Sequence, residues 1–507
     1  MNRSRIGLLT AALLSTPVVA APSADYFLDF PQVEAISAAK VPAFTWIVRQ
    51  GDKTSLYFGR APSFRRVTLA SRSDEDGQPI TDAKLSPDGI HAAFLTGVPT
   101  NDGAFNPAGL IDAPEPILWL VGTAGSPKPR KLGPGLGPEF TPDGRLLLFR
   151  RGGNMWSLDT RSTLAKPKLF AKGGGDWSQF VVTSNGDLIF VADRRGYSFI
   201  GRYRPGAAKV EWLVTGAERL ALPVLSPDGT RLAFMRLQGR EHVITDQTEA
   251  EPFAIDLLDL NSGAIRTLWD TRGKALTLGM DDAEGALRWA GNERLMFYSE
   301  TDGWGRLYAI PASGGVPRAL TPPGCMVAES EAAGDRVLVI HNCIDRDTRQ
   351  LSLVDPATGA EQKLSQPDPV LAMAASSGAY TAMVAAGPDE AALLRIVENA
   401  SGKVVAAEHY ADYGYTNNLT SAAPREVQLA AADGQHFSGI LFAPSTPGPH
   451  PGLIYVHGGP QRQMFPAFSY MHYYSNDYAI NRMLSAQGYT VLAVNYRSGI
   501  GYGQAFR

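Results

Sequence analysis

The stretch Leu85–Leu95 reads LSPDGIHAAFL and places a Ser-Pro-Asp-Gly turn directly before a run of apolar residues. Proline presets the backbone at the second turn position, aspartate hydrogen-bonds to the local backbone, and glycine takes the positive φ that closes the turn. The same pattern returns as FTPDGRLLLF at Phe140–Phe149 and as LSPDGTRLAF at Leu225–Phe234. Each copy predicts the turn between two antiparallel strands.

Five weaker copies of this pattern begin near Ser37, Thr183, Ala290, Ala333 and Ser376, each before another apolar run. The copies recur at roughly 40 to 65 residues, which is the range for propeller blades of four strands. We therefore predict an all-β propeller of seven or eight blades over residues 32–410. The alternative, an array of β-sandwiches, offers no reason for so regular a turn.

The turn pattern is lost after Ala411, and a different set of elements follows. A β-hairpin is predicted around Asp433-Gly434. Leu453–Val456 and Thr490–Val494 are continuous apolar runs, which are typical of strands buried on both faces. Strand, crossover helix and strand in this order are the beginning of a doubly wound α/β sheet.

The helix between these two strands is expected to have Ser475 or Asn476 as its N-cap and to end at Gly488. Its apolar side is predicted from three residues at helical spacing, which are Ile480, Met483 and Leu484.

Two glycine-rich strings follow the predicted strands: HGGP at His457–Pro460 and NYRSGIGYG at Asn495–Gly503. Together with Gly488–Leu492 between them, they resemble the prolyl oligopeptidase family of serine peptidases, in particular exported bacterial members similar to dipeptidyl aminopeptidases and acylaminoacyl peptidases. The string Asp302–Tyr308 also resembles the dipeptidyl peptidase branch, although a turn with a packed aromatic residue would explain it as well. The family places a propeller before an α/β-hydrolase domain. The resemblance thus implies an incomplete α/β-hydrolase (peptidase) domain over residues 424–507.

The resemblance implies cleavage of short peptides by a serine nucleophile through an acyl-enzyme. His457, Gly458 and Gly459 would lie at the oxyanion hole, with the Gly459 N–H as donor and His457 shaping the loop. A simple tight turn is the alternative for this string. The family's serine, acid and base follow these strings, and the 507 residues contain no Gly-x-Ser-x-Gly. We therefore expect no catalytic triad residue in this chain, which would be a fragment that is inactive alone.

A function of another class is also compatible with the sequence. The chain could be a non-catalytic exported propeller that binds or scaffolds partners and keeps a vestigial hydrolase segment. Glu249 and Glu251, in an acidic insertion, are weak candidates for binding a substrate amine, although a solvated acidic loop is the simpler interpretation.

The N-terminus has the pattern of a secretory signal. Arg3 and Arg5 precede the apolar stretch Ile6–Leu14, and Val18–Ala20 supplies small residues for cleavage. A signal peptide at residues 1–21 and export to a bacterial periplasm are predicted, with no membrane span after cleavage. An uncleaved anchor is the alternative, although the apolar stretch is far shorter than the ~20 residues of a membrane span.

Composition limits the remaining partners. The formal net charge is −3 and no basic run stands out, so nucleic acid is not an expected partner. Cys325 and Cys343 could form a disulfide in an oxidising compartment, or remain two buried thiols. Two cysteines without histidines at ligand spacing predict no metal site, and no organic cofactor is implied. The sequence leaves the oligomeric state open.

Overall fold

The structure, a computed structural model, describes residues 28–97, 115–173, 179–193, 197–237, 253–271, 286–417, 421–459 and 461–507. Eight four-stranded antiparallel sheets follow one another in this part of the chain, and a ninth, mixed sheet comes last. Within each of the eight antiparallel sheets the strands pair in chain order. The protein is therefore mostly β-sheet, with a propeller-like arrangement.

The first two sheets contain β1 (Gln32–Ala38), β2 (Ala43–Gln50), β3 (Lys53–Arg60), β4 (Val67–Ser73), β5 (Ile80–Leu85), β6 (His91–Thr96), β7 (Ile117–Gly122) and β8 (Arg130–Pro134). The third and fourth contain β9 (Leu136–Phe140), β10 (Leu146–Arg151), β11 (Asn154–Asp159), β12 (Lys168–Ala171), β13 (Phe180–Val182), β14 (Leu188–Asp193), β15 (Ser198–Tyr203) and β16 (Glu211–Val214). The fifth and sixth contain β17 (Arg219–Leu225), β18 (Arg231–Leu237), β19 (Phe253–Asp259), β20 (Ile265–Asp270), β21 (Leu287–Ala290), β22 (Arg294–Ser299), β23 (Arg306–Pro311) and β24 (Arg318–Ala319). The seventh and eighth contain β25 (Val327–Ala333), β26 (Arg336–His341), β27 (Gln350–Val354), β28 (Glu361–Lys363), β29 (Val370–Ser377), β30 (Tyr380–Ala386), β31 (Leu393–Glu398) and β32 (Val404–Ala407).

All eight copies of the repeated turn lie between the first and second strand of a sheet. In the turn between β5 and β6, the Ser86 hydroxyl donates to Asp88 Oδ1 at 2.6 Å, and the same oxygen accepts the Ile90 N–H at 3.0 Å. Gly89 has φ 67° and donates its N–H to the Ser86 carbonyl at 2.8 Å. The turn is thus held by its own residues, as the sequence predicts.

Seven apolar clusters fill the spaces between neighbouring sheets, and together they connect all eight. Leu148 and Phe190, for example, pack in the cluster between the third and fourth sheets. The first and eighth sheets are joined directly, because the Val33 N–H donates to the Ala392 carbonyl at 2.8 Å. The Ser377 hydroxyl also donates to the Ala39 carbonyl at 2.8 Å. The eight sheets therefore form a closed ring.

The C-terminal segment, residues 424–507, forms the ninth sheet from β33 (Arg425–Ala430), β34 (His436–Phe442), β35 (Gly452–Val456) and β36 (Thr490–Val494), with helix α1 (His472–Ala486) between the last two. The sheet order is β33-β34-β36-β35, and β35 is parallel to β36. The predicted hairpin is present as β33 and β34, and the predicted strand, helix and strand are present as β35, α1 and β36.

The burial predicted for β35 is wrong. Leu453, Ile454 and Val456 are 40%, 67% and 62% exposed. This strand pairs only with β36 and lies at the edge of the sheet, and no described residue covers its outer side. In β36, which is central, only the alternating Val491 and Ala493 are fully buried.

The start predicted for the helix is also wrong. Helix α1 begins at His472 after Met471, so Ser475 lies inside it, and the Ser475 hydroxyl donates to the Ser469 carbonyl at 2.6 Å. The residues that the sequence assigned to the apolar side are only half-buried. The buried face instead carries Tyr474, Tyr478, Ala479 and Arg482, because it packs against β34 and β36 and, through Tyr478 and Arg482, against the ring. Gly488, with φ 96°, ends the helix as predicted.

Candidate active-site region

The His457-Gly458-Gly459 loop follows the carboxyl end of β35, beside the parallel strand β36. The hydroxyl of Tyr496 donates to the His457 carbonyl at 2.6 Å, and that of Tyr474 donates to the Gly458 carbonyl at 2.8 Å. Both glycines are exposed, and no acceptor among the described residues takes the Gly459 N–H. The loop therefore has fixed carbonyls and presents a peptide N–H to solvent.

Glycine is required at position 459. Its φ of 136° is unfavourable for other residues, and an added Cβ would lie 2.7 Å from Cγ of Arg462. Glycine at this exposed position also leaves the backbone open to close approach by another group.

The His457 side chain is buried, at 2% exposure, and stacks on the Tyr496 ring with centroids 4.6 Å apart. Its Nδ1 lies 2.9 Å from the Gly458 carbonyl oxygen, which assigns the proton to Nδ1. Burial lowers the pKa of His457, so the ring is neutral at neutral pH. This environment suits a residue that shapes the loop.

The second glycine-rich string, Asn495–Gly503, connects this loop to the ring. The Asn495 amide accepts the Met464 N–H at 2.8 Å and donates to the Met464 carbonyl at 3.0 Å. The Tyr502 hydroxyl donates to Asp347 Oδ1 at 2.7 Å. The seventh sheet and the C-terminal segment thus share a buried polar network.

Most of the ring residues in this network lie in the loop 342–349, between β26 and β27. The Asn342 amide donates to the Gly501 carbonyl at 3.0 Å, and Arg349 Nη2 donates to Gln463 Oε1 at 2.6 Å. Cys343 of this loop forms a disulfide with Cys325, directly before β25. The disulfide therefore fixes the start of the loop that holds the C-terminal segment.

The sixth sheet contributes a second attachment. The Gly303 carbonyl accepts the Gln504 N–H at 2.8 Å, and Arg507 makes a two-pronged ion pair with Glu300 at 2.8 and 2.5 Å. Both side chains of that pair are more than nine-tenths buried. The Asp302–Tyr308 string thus lies at the contact between the ring and the C-terminal segment.

A cavity of about 320 Å³ lies where the first strands of the seventh and eighth sheets meet the C-terminal segment. Glu329, Arg349, Gln461 and Arg462 supply its polar wall. Arg462 is three residues beyond Gly459, so the cavity is close in sequence to the glycine loop. The sequence-based assignment did not include any of these four residues, because they come from three separate stretches of the chain that only the fold brings together.

Three carboxylates at this contact, from Asp345, Asp347 and Glu426, have oxygen atoms within 4.8 Å of one another. Asp347 is occupied by the Tyr502 and Ser438 hydroxyls. Burial, and then the charge of Asp347, raises the pKa of Glu426. The group is thus explained as part of the polar contact between the ring and the C-terminal segment. Glu249 and Glu251, the candidates for binding a substrate amine, lie outside the described residues.

No family model matches the chain. Over 95 residues it is 33% identical to the uncharacterised peptidase YuxL of Bacillus subtilis, a match that covers 18% of this chain and 13% of that protein. The chain therefore spans only a small part of this curated relative.

Three solved structures share the fold. Dipeptidyl peptidase 4 of Porphyromonas gingivalis matches with a TM-score of 0.66 and 15% identity, over 94% of this chain and 73% of that one. A puromycin-hydrolysing peptidase of Mycobacterium tuberculosis matches with a TM-score of 0.59 and 20% identity, over 85% and 68%. A structure from a study of two prolyl endopeptidases matches with a TM-score of 0.57 and 15% identity, over 95% and 64%.

The chain thus has the fold of these solved structures, a propeller-like ring that carries an α/β segment. The predicted resemblance to prolyl oligopeptidase-family peptidases is confirmed at the level of the fold.

Proposed function

We propose that this chain is part of a serine-type peptidase of the prolyl oligopeptidase family, which cleaves short peptides through an acyl-enzyme. The observation that carries the proposal is the exposed Gly459 N–H at the carboxyl end of β35, with the carbonyls of the two preceding residues held by Tyr496 and Tyr474. A fixed N–H at this place stabilises the negative charge that develops on a carbonyl oxygen during acyl transfer.

The domain division that we propose follows the same reasoning. Residues 1–21 form a signal peptide, residues 32–410 an eight-bladed propeller, and residues 424–507 the N-terminal part of an α/β-hydrolase domain. The eight sheets, and the contact between the first and the eighth, support eight blades. The parallel pairing of β35 with β36 supports the hydrolase assignment. Export to a periplasm follows from the signal sequence, and no described helix is long and apolar enough to cross a membrane.

The 507 residues contain no Gly-x-Ser-x-Gly, so we propose that this chain has no peptidase activity alone. Without the nucleophile, only substrate binding and the oxyanion side of the site remain, and loss of triad members lowers rates by orders of magnitude. A fluorophosphonate probe applied to the purified chain is the direct test. Absence of labelling is the expected result, and labelling of a serine in this chain would overturn this part of the proposal.

The family assignment is tested by sequencing the locus beyond the codon for Arg507. An open frame with Gly-x-Ser-x-Gly, and then an aspartate and a histidine, is expected. In the protein encoded by that frame, Gly459→Ala should lower kcat about 10²-fold or more, because it blocks an oxyanion donor. Gly434→Ala, at another positive-φ glycine in the β33–β34 turn, is the matched control. A stop codon after Arg507 would instead favour the non-catalytic binding propeller.

A further inference from the structure

The cavity between the ring and the C-terminal segment has a wall that is apolar on most sides and positively charged on one. Its apolar lining includes Met326, Leu371, Phe465 and Ile500. Its volume of about 320 Å³ is at the lower end of the range for small-ligand sites. The cavity can therefore hold one or two amino-acid residues.

Arg349 is the unusual feature of this wall. It is 4% exposed, its guanidinium lies 4.7 Å from the centre of the Phe465 ring, and it donates to uncharged acceptors: Gln463 Oε1 and the carbonyls of Arg346 and Thr348. Among the described residues, no carboxylate lies within ion-pair distance of Arg349. Burial lowers its pKa to about 10, which still leaves it charged at neutral pH.

The negative charges of Asp347 and Glu329 act on Arg349 from beyond ion-pair distance. A buried charge with no carboxylate in direct contact is costly, and an anion in the adjoining cavity would offset that cost. Among the described residues that line the cavity there are two arginines and one carboxylate, that of Glu329, so the formal charge of the lining is positive. Both carboxylate oxygens of Glu329 accept backbone N–H groups, from Met373 at 3.0 Å and from Ala374 at 3.1 Å. Arg462, which is half-buried, adds a second cation to the lining.

We propose that this cavity binds a carboxylate of a peptide, through Arg349 and Arg462, with an apolar neighbouring residue against Phe465 and Leu371. The carboxylate is either the C-terminal one or that of an acidic side chain. The inference rests on the proposed function only for the choice of a peptide as ligand. Binding of a carboxylate in this cavity gives the protein a preference for anionic peptides. The glycine loop by itself provides no such preference.

The test is calorimetric titration of the 507-residue chain with two isosteric pairs of blocked dipeptides. The first pair is N-acetyl-Leu-Phe as the free acid and as the amide. The second is N-acetyl-Phe-Glu-amide and N-acetyl-Phe-Gln-amide. We expect the acid of at least one pair to bind about tenfold more tightly than its uncharged partner, as for loss of one charge-assisted hydrogen bond. A preference in the first pair identifies the C-terminal carboxylate as the ligand, and one in the second pair the side chain. Equal affinities within both pairs would overturn the proposal.

Variants show which residues cause the preference for the acid over its uncharged partner. Arg462→Gln and Arg349→Gln should each reduce it about tenfold, whereas Arg318→Gln, at an exposed arginine of the sixth sheet outside the cavity, should preserve it. If Arg349→Gln does not fold, Arg462→Gln and the peptide pairs still decide whether the cavity binds a carboxylate. An acid preference that survives Arg462→Gln undiminished would overturn the assignment. Because binding is measured without turnover, an anion preference together with a stop codon at the locus would retain this site and remove the peptidase function.

Discussion

Two strands of this protein have nearly the same sequence and opposite environments. Leu188–Val191 of β14 reads LIFV, and Leu453–Val456 of β35 reads LIYV. Ile189 of the first is fully buried, whereas Ile454 of the second is 67% exposed. Strand β14 has a partner on each side and apolar clusters on both faces, whereas β35 has one partner strand. An apolar run thus specifies a strand, and its neighbours determine whether the strand is buried.

The two regions also differ in how they satisfy polar groups. In the ring, the repeated turns satisfy their polar groups mainly within a few residues of chain, and the sheets meet through apolar clusters. Among the described residues, the C-terminal segment meets the sixth and seventh sheets through one buried ion pair and several buried hydrogen bonds between residues far apart in sequence. A buried polar network is costly when it is incomplete, so it fixes one arrangement of the segment on the ring.

The largest effect on stability is expected from substituting Ile189 or Ile454, which occupy the same position in the two similar strands. Ile189→Ala should lower the free energy of unfolding by about 2–5 kcal/mol, because it leaves a cavity in a packed core. Ile454→Ala should change it by less than about 0.5 kcal/mol, because the side chain is mostly in solvent already. Urea unfolding followed by tryptophan fluorescence measures both. Similar losses for the two variants would mean that β35 is covered in solution.

Arg482→Met in helix α1 is expected to lower the free energy of unfolding by about 2–3 kcal/mol. Arg482 is 1% exposed and donates to the Pro388 carbonyl and the Ser421 hydroxyl, both at 2.7 Å. Methionine keeps the volume and leaves these acceptors without their donor. Hydrogen exchange should show faster opening of α1, with the ring unchanged. Arg497→Met removes an exposed ion pair with Asp433 and is the control, expected at about 0–1 kcal/mol; equal effects would contradict the role of Arg482.

A smaller loss, of about 1–2 kcal/mol, is expected for Tyr502→Phe. The variant removes the hydroxyl that donates to Asp347, with little change in packing. Thermal unfolding of this variant and of Tyr489→Phe, a residue that is 37% exposed, provides the comparison. If Tyr502→Phe unfolds at the same temperature as Tyr489→Phe, the network does not hold the segment to the ring.

The smallest expected effect is on the pH dependence of stability, through the carboxylate of a repeated turn at low pH. The Ser226 hydroxyl, and then the N–H and hydroxyl of Thr230, lower the pKa of Asp228 from 3.8 to about 2. A lowered folded-state pKa gives stability that is present above the unfolded value and is lost as the pH falls through the folded value. Asp228→Asn should therefore reduce the decline in stability between about pH 4 and pH 2. Asp335→Asn, at an exposed carboxylate in the corresponding turn of the seventh sheet, is the control; an equal change in both would contradict this explanation.

The sequence by itself determined the ring, including the place of all eight repeated turns, because each Ser/Thr-Pro-Asp-Gly turn is stabilised by residues two to five positions apart. It also predicted the strand, helix and strand of the C-terminal segment and the glycine loop at His457. Only the tertiary structure decided the exposure of β35, the buried face of α1 and the cavity at Arg349. Strand β35 is exposed because it has one partner strand. Arg482 of α1 and Arg349 bond to residues far away in the chain, such as Ser421 and Gln463, and no local pattern encodes such a partner.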